Sequence, residues 1–401
     1  MRTIVQKYGG TSVGDIDRIQ NVAKKIVSKK NEGYRVVVVV SAMGKTTDKL
    51  LNLARQISNN LDKRDLDMLL STGEQVSISL LSMALKEIGQ SSICLTGFQA
   101  GINTIGQHTK SKISNIDINR VNECLDSDKI VIVAGFQGIN ENKDITTLGR
   151  GGSDTTAVAL ASKLGCACEI YTDVDGIYSV DPRIYKEAKQ LDCISYEDMI
   201  EMASLGAGVM ETRAVEIAYK YNVEIYVSNS INNNKGTYIG VYDTNMETKT
   251  VKGLSIDDKK IIVSVDNIPM YSQIIADIFD QISKENINVG MISQSIPING
   301  SISLSFTASE EDRYIIESII NELKLKYNNI DSNVQESISN ISVVGMGLMN
   351  QSGIIGKLLM ALSENNIKFK QMTTSEKSIS YTIDSKDKEK AVKVLAKVLD
   401  L

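Results

Sequence analysis

Shifted by 80 positions, segment 261–295 of this 401-residue chain lies on segment 341–375 without a gap. Ile261/Ile341, Val263/Val343, Ser272/Ser352, Ile274/Ile354, Ile275/Ile355, Ser283/Ser363, Asn286/Asn366, Ile287/Ile367 and Ser295/Ser375 are identical, nine matches in 35 positions. Ile278/Leu358 and Ile282/Leu362 keep the apolar character. Such a repeat means two copies of one supersecondary unit. Each copy reads strand, helix, strand, then a further strand and helix, with helices predicted over Ser272–Glu285, Glu310–Tyr327, Ser352–Asn365 and Lys386–Leu399. That order belongs to ferredoxin-like βαββαβ modules. The polar stretch Asp243–Lys252 sets the boundary, giving domains 1–245, 253–335 and 336–401.

The first 245 residues follow another rhythm. Strands are predicted at Thr3–Lys7, Arg35–Ser41, Ile93–Leu95, Ile130–Ala134 and Glu169–Thr172. Helices are predicted over Asp15–Lys30, from Thr47, over 73–88 and over Ser153–Leu164. This alternation gives an α/β fold with a mainly parallel sheet, helices on both faces and ligands at the carboxyl ends of the strands. The run Val36–Val40 reads as a buried strand. No apolar run reaches the roughly 20 residues of a membrane span, and Met1–Val5 enters a strand directly, so a cytosolic protein is expected.

Charge and rare residues exclude several chemistries. Lys and Arg number 44 against 49 Asp and Glu, so the net charge of −5 argues against nucleic acid as a partner, although a local basic patch is compatible with it. His108 is the single histidine, which leaves little room for a Ser-His-Asp or His-rich metal mechanism. Cys94, Cys124, Cys166, Cys168 and Cys193 are odd in number and unpatterned, as reduced thiols are. Cys166 and Cys168 lack a second pair to complete a metal site and read as small residues entering a strand.

Three loops stand out. In Lys7-Tyr8-Gly9-Gly10-Thr11-Ser12-Val13-Gly14 a strand ends in lysine, two glycines and two hydroxyls, then a helix begins. Glycines admit an anion to the backbone N–H groups, a helix N-terminus adds favourable potential and Lys7 a full charge, so a phosphate site is expected. Lys precedes Gly, so this is no Walker loop; Gly44-Lys45-Thr46 imitates the Walker ending, but Val39 stands where its first glycine belongs. In Gly149-Arg150-Gly151-Gly152-Ser153-Asp154-Thr155-Thr156, Ser153 or Asp154 is a natural helix N-cap, and Arg150 beside a backbone nest suits a carboxylate. Thr172–Arg183 packs Asp173, Asp175, Asp181, Tyr178 and Arg183 into one loop; it lacks the remaining ligands of a calcium loop and fits a nucleotide contact, with Tyr178 on a base and Arg183 on phosphate. Glu74 opens a helix, where it complements the dipole or meets a substrate ammonium.

Together, in this order and with the tandem repeat, these loops resemble the signature loops and paired ACT regulatory domains of aspartokinases, over nearly the whole chain. The resemblance implies the αβα sandwich of the amino-acid-kinase fold. It implies Mg-ATP-dependent phosphorylation of the L-aspartate side chain, with Mg²⁺ carried on the nucleotide phosphates. By that resemblance Lys7, with Gly9 and Gly10, neutralises the transferring phosphate and Asp154 orients Lys7. Arg150 holds the aspartate α-carboxylate, Glu74 the ammonium, and Ser41, Thr47, Gly151, Gly152 and Ser153 line the substrate pocket. Tyr8, Thr172, Asp173, Tyr178, Asp181, Arg183, Gly208 and Val209 contact ATP, with Gly208 standing where many relatives carry lysine. The nucleophile, a carboxylate of pKa ~3.9, needs no general base.

Two ferredoxin-like units with unpaired edges commonly pair with another copy, so a homo-oligomer joined through residues 261–401 is expected, with an amino-acid effector, lysine and/or threonine. By the same resemblance Asn288, Val289, Gly290 and Gln294 would form one wall of an effector site, and Ile354, Ile355, Ser375 and Glu376 another. Asn267-Ile268-Pro269-Met270-Tyr271 and Asn350-Gln351-Ser352-Gly353 replace the Asp-x-Pro-Gly turn typical of ACT modules, so the first site is expected to have lost or changed its ligand. Another kinase of the fold, for glutamate or uridylate, is disfavoured by the repeat. A non-catalytic amino-acid sensor is disfavoured by the joint presence of Lys7, Glu74, Arg150 and Asp154.

Overall fold

A computed structural model describes all residues except 1, 59, 233, 243–250, 271–272, 328–329, 347 and 349–352. Most of the expected boundary Asp243–Lys252, the Ser272/Ser352 pair and much of the two turns before the repeat helices therefore lie outside the described residues. The chain forms two compact units: Met1–Tyr178 with Gln190–Ala203 and Gly208–Met246, and Ser179–Lys189 with Ser204–Ala207 and Glu247–Leu401.

In the first unit, β1 (Arg2–Tyr8), α1 (Ile16–Asn31), β2 (Tyr34–Val40), α2 (Thr46–Ile57), α3 (Lys63–Leu70), α4 (Thr72–Glu87) and β3 (Ser92–Leu95) appear close to their predicted bounds, α3 being unforeseen. Next come β4 (Ile102–Ile105), β5 (Lys112–Ile116), α5 (Asn119–Asp126), β6 (Ile130–Ala134), β7 (Gln137–Ile139), β8 (Ile145–Thr147), α6 (Gly152–Leu164) and β9 (Cys168–Thr172). β10 (Cys193–Ser195), α7 (Tyr196–Ser204), α8 (Thr212–Tyr221), β11 (Ile225–Asn229) and β12 (Thr237–Gly240) complete the series. Eight strands make one sheet, ordered β10-β12-β11-β9-β1-β2-β6-β3. Every pairing in it is parallel except β11 with β12.

The valines of β2 are fully sequestered because the sheet is covered on both faces. On one face Ile19, Val22, Ala23 and Ile26 of α1 and Ile78, Leu81 and Leu85 of α4 pack on Ile4, Val36, Val38, Val40, Ile130 and Ile132. Helix α1 is started by Asp15, whose side chain accepts from Arg18 N at 2.9 Å. The stretch Lys63–Glu87, made of α3 and α4, is long and apolar enough to cross a membrane, yet half of its apolar window is buried in this fold. A small sheet, β5-β4-β7-β8, was not legible in the sequence. Its strands span three to five residues, and in β5 only Ile116 is buried.

In the second unit β13 (Gly253–Pro269), α9 (Ile274–Lys284), β14 (Val289–Gln294), β15 (Ser301–Ser309), α10 (Arg313–Lys326) and β16 (Asp331–Val344) precede α11 (Ile354–Glu364), β17 (Phe369–Thr374), β18 (Ser378–Asp384) and α12 (Lys388–Leu399). All six strands share one sheet, ordered β14-β15-β13-β16-β18-β17. The central pair β13 and β16 is antiparallel, with bulges at Asp257–Ile262. Lys260–Asp266 of β13 pairs with 331–338 of β16, completing the first repeat between β15 and β16. Gly253–Asp257 pairs instead with Asn340–Val344, in the part of β16 that carries β18 on its other side. The second repeat thus takes its fourth strand from residues that precede the first repeat in the chain.

Each repeat keeps its own core. Ile278, Ile282, Phe306, Ile316 and Ile320 belong to the first, and Leu358, Leu362, Ile379, Tyr381 and Val392 to the second. Leu254 and Val180 join the second core, and Leu254 N donates to Ser179 O at 2.7 Å. Leu254→Ala should cost about 2–5 kcal/mol, as truncations in closed cores do. Hydrogen exchange should show protection lost over α11, β17, β18 and α12 and retained over α9 and α10; equal loss in both would contradict the strand assignment.

Candidate functional site

The carboxyl ends of β1 and β2 and the N-terminus of α6 surround a cavity of about 250 Å³. Strand β1 delivers Lys7 there because its side-chain period alternates. Its Nζ lies 2.6 Å from Asp154 Oδ1, both residues being almost wholly buried. Asp154 does not act as the N-cap that its position suggests. The cap is Gly151 in left-handed conformation at φ 64°, two residues before Ser153 and three before Asp154, which turns Asp154 into the first turn of α6 toward Lys7.

The Gly-rich loop is folded tightly. Gly44 N donates to Gly10 O at 2.9 Å, and a Cβ on Gly10 would lie 2.6 Å from Ala42 O, so only glycine fits there. Glu74, in the first turn of α4, accepts from Ala42 N at 3.1 Å through Oε1, while its buried Oε2 has no partner. Burial pushes its pKa from 4.5 up to about 7, against the pull of the backbone hydrogen bonds to it.

Lys7, Gly10, Ser41, Thr47, Glu74, Arg150, Gly151, Gly152, Ser153 and Asp154 all line this one cavity, although they come from four separate segments of the chain. Ala42, Gly44, Phe136 and Gly149 line it as well; none was given a site role from the sequence, although Gly149 opens the Arg150 loop.

Two further features were missed. Arg213 donates to Leu148 O and Ser111 O, and the Glu211 side chain occupies the space a Cβ on Gly151 would need, so the Glu-x-Arg at the start of α8 braces the Arg150 loop. Fully buried Asp67 accepts from His108 Nδ1 at 2.7 Å, from Thr109 N and from the Thr147 hydroxyl. The single histidine thus belongs to a hydrogen-bonded support beneath β8.

Other expected contacts fall elsewhere. Tyr8 is fully buried and stacks on Tyr171 at 4.9 Å between centroids, so its side chain belongs to the core and leaves only its backbone near the loop. Thr172 donates to Asp173 Oδ1 at 3.1 Å, and Asp173 is exposed. Asp175 accepts amide hydrogens from Asn229, Asn232 and Asn234 at 2.8–2.9 Å, which lower its pKa and fix this loop internally. Tyr178 is half-buried and bridges to Gln190. Asp181 and Arg183 form a bidentate pair at 2.8–3.2 Å within the segment that clusters with the C-terminal unit. Gly208 is exposed, with open space where a Cβ would stand, and Val209 half-buried.

In the second unit Asn288, Val289 and Gly290 line a cavity of about 210 Å³ with Lys260, Thr307 and Asn340; Gln294 is not among its walls. Ile354 is buried in the second core with Ile355 packed against that core. Ser375 accepts from Ser378 N at 3.0 Å in a closed turn, and Glu376 is exposed.

The profile of the Amino acid kinase family matches residues 2–229, and an ACT domain profile matches 341–399. An aspartokinase of Geobacillus stearothermophilus is 45% identical over 402 residues, covering 100% of this chain and 98% of its own. Aspartokinase 2 of Bacillus subtilis (strain 168) is 43% identical over 404 residues, with 100% and 98% covered. The solved structure of E. coli aspartokinase III in complex with aspartate and ADP has a TM-score of 0.83 at 23% identity, each chain fully covered. The Synechocystis aspartate kinase has a TM-score of 0.56 at 37% identity over 100% of this chain and 69% of its own.

The Glu74 environment has a pH signature. Between pH 4.5 and about 7 the folded carboxyl holds a proton that the unfolded chain has released, so stability falls as pH rises through this window. Glu74→Gln mimics the protonated form. It should leave the melting temperature near wild type at pH 5 and raise it by several degrees at pH 8; no gain at pH 8 would mean that Glu74 is not buried as an acid.

Proposed function

The chain belongs to the aspartokinase family, and on that premise we propose how its residues divide the work of moving a phosphoryl group from ATP to the side-chain carboxylate of L-aspartate. This reaction opens the biosynthesis of lysine, threonine and methionine, and ACT-linked regulation accompanies it.

The observation that carries the reading is the Lys7–Asp154 pair in a cavity that also holds Arg150 and Glu74. Lys7 supplies the charge that meets the transferring phosphoryl oxygens, and Asp154 fixes the ammonium in place before substrate arrives. Arg150, with donors in a planar fork, grips the aspartate α-carboxylate. Glu74 receives the ammonium through its unpartnered Oε2. Ser41, Thr47, Gly151, Gly152 and Ser153 shape the pocket around the substrate. Gly9 and Gly10 let the loop approach the phosphates, and Thr172, Asp173, Tyr178, Asp181, Arg183, Gly208 and Val209 supply nucleotide contacts.

The attacking carboxylate is ionised at neutral pH, so catalysis rests on positioning and charge neutralisation. Among the described residues no three acids, histidines or cysteines cluster as metal ligands, and Asp154 is committed to Lys7, a donor set that suits Mg²⁺ held by the nucleotide phosphates. When bound, the ion adds charge neutralisation at those phosphates.

The regulatory proposal has three parts. The C-terminal residues divide into ACT modules at 253–335 and 336–401, with Gly253–Asp257 supplying the fourth strand of the second. Lysine and/or threonine binds near Asn288, Val289 and Gly290, with Gln294, Ser375 and Glu376 as further polar contacts. Edge strands β14 and β17 join copies into a homo-oligomer. The five free thiols suit a reducing, cytoplasmic location.

Trapping with hydroxylamine should yield β-aspartyl hydroxamate from ATP and aspartate; product from glutamate alone would overturn the assignment. Lys7→Ala should lower kcat about 100-fold or more with little change in aspartate KM. Arg150→Ala should chiefly raise aspartate KM, and near-normal kcat in Lys7→Ala would remove the phosphate role. Because Glu74 must ionise to take the ammonium, aspartate KM should fall as pH rises through about 7. Glu74→Gln should flatten that dependence, and a pH-independent KM in the unaltered enzyme would count against the ammonium contact.

A further inference from the structure

A cleft of about 440 Å³ opens at the carboxyl ends of β1 and β11, between α1 and the turn after β11. It shares no lining residue with the kinase cavity. Arg18, Lys24 and Lys25 of α1 form one wall, Ser12 the floor beside the Gly-rich loop, and Ser230 and Ile231 the opposite wall. No Asp or Glu lines it. In a chain of net charge −5, three cations around one concavity are a local reversal of sign that concentrates anions.

Two of the three cations are held in place. Lys25 Nζ donates to Asn229 O at 3.3 Å and Asn232 O at 3.1 Å, which leaves one of its three donors, and burial lowers its pKa. Arg18 donates through Nη1 to Thr11 O and pairs through Nε with exposed Asp15 at 3.3 Å. Ile231, 68% exposed, gives the far wall an apolar surface. The carboxyl edge of a parallel sheet is where such folds seat ligands.

We propose that this cleft is a second anion site, distinct from the kinase centre, that seats a phosphate group, free or esterified to a small carbon skeleton. Arg18, Lys24 and Lys25 meet the phosphate oxygens, the Ser12 and Ser230 hydroxyls add hydrogen bonds, and Ile231 packs on the skeleton of an ester. The ligand would sit directly behind the loop that carries Lys7.

The test uses the full chain with the kinase centre filled by aspartate and a non-hydrolysable ATP analogue. Phosphorus NMR would follow titration of inorganic phosphate in one arm and glycerol 3-phosphate in the other. One equivalent should bind, and Arg18→Gln with Lys24→Gln should weaken it at least tenfold while leaving both substrate KM values within twofold. Equal binding in both arms identifies free phosphate as sufficient; tighter binding of the ester identifies the carbon skeleton as part of the ligand. If the double variant does not fold, Lys24→Glu alone changes an exposed side chain and gives the same readout. Absence of binding, binding unaffected by these substitutions, or a severalfold rise in ATP KM would overturn the proposal.

Discussion

The ion pair between Lys7 and Asp154 sets the terms for the rest of the catalytic unit. Two nearly buried charges lose much of their hydration, and a contact of 2.6 Å recovers that only if both side chains are held rigidly. The fold supplies the rigidity from both sides. Lys7 stands at the end of a strand paired on each edge, with β2 and with β9. Asp154 stands in the first turn of a helix whose residues 152–161 are all buried. A hydrophobic pair would stabilise the same position at lower cost, so the charges are retained for what they do to a third group entering beside them.

That constraint spreads outward through backbone contacts. Gly151 must be left-handed for α6 to begin where it does, and Glu211 closes the space above it. Arg213 ties Leu148 and Ser111 together, and Asp67 ties Thr109 to Thr147. The Arg150 loop is therefore suspended between two polar anchors on different elements, which keeps a mobile residue type within reach of one pocket.

Much of this was legible in the sequence where a local rule decides the structure. The valine run of β2, the start of α1 near Asp15 and the glycine loops each announce themselves by residue type and spacing. The gathering of ten expected residues in one cavity follows from their shared place at strand and helix ends. The failures have equally local causes. Ser153 and Asp154 are good caps by type, but Gly151 takes that place through a backbone conformation open to glycine. Tyr8 reads as a binding residue because it adjoins Lys7, whereas period-two alternation turns it into the core. Ile354 matches Ile274 in the repeat for the same reason that both are buried: they are the first apolar contacts of equivalent helices. Glu211 and Arg213 carried no signal, because their partners lie more than fifty residues away in the chain.

The strand bookkeeping of the C-terminal sheet also has an evolutionary reading. Gly253–Asp257 serves the second repeat, and the same strand runs on to serve the first. Excising the first repeat would cut β13 and β16 in mid-strand, and excising the second would leave Gly253–Asp257 with no core to cover. Neither copy can be shed without damaging the other. Descendants of this architecture can therefore lose or exchange the two modules only as a pair.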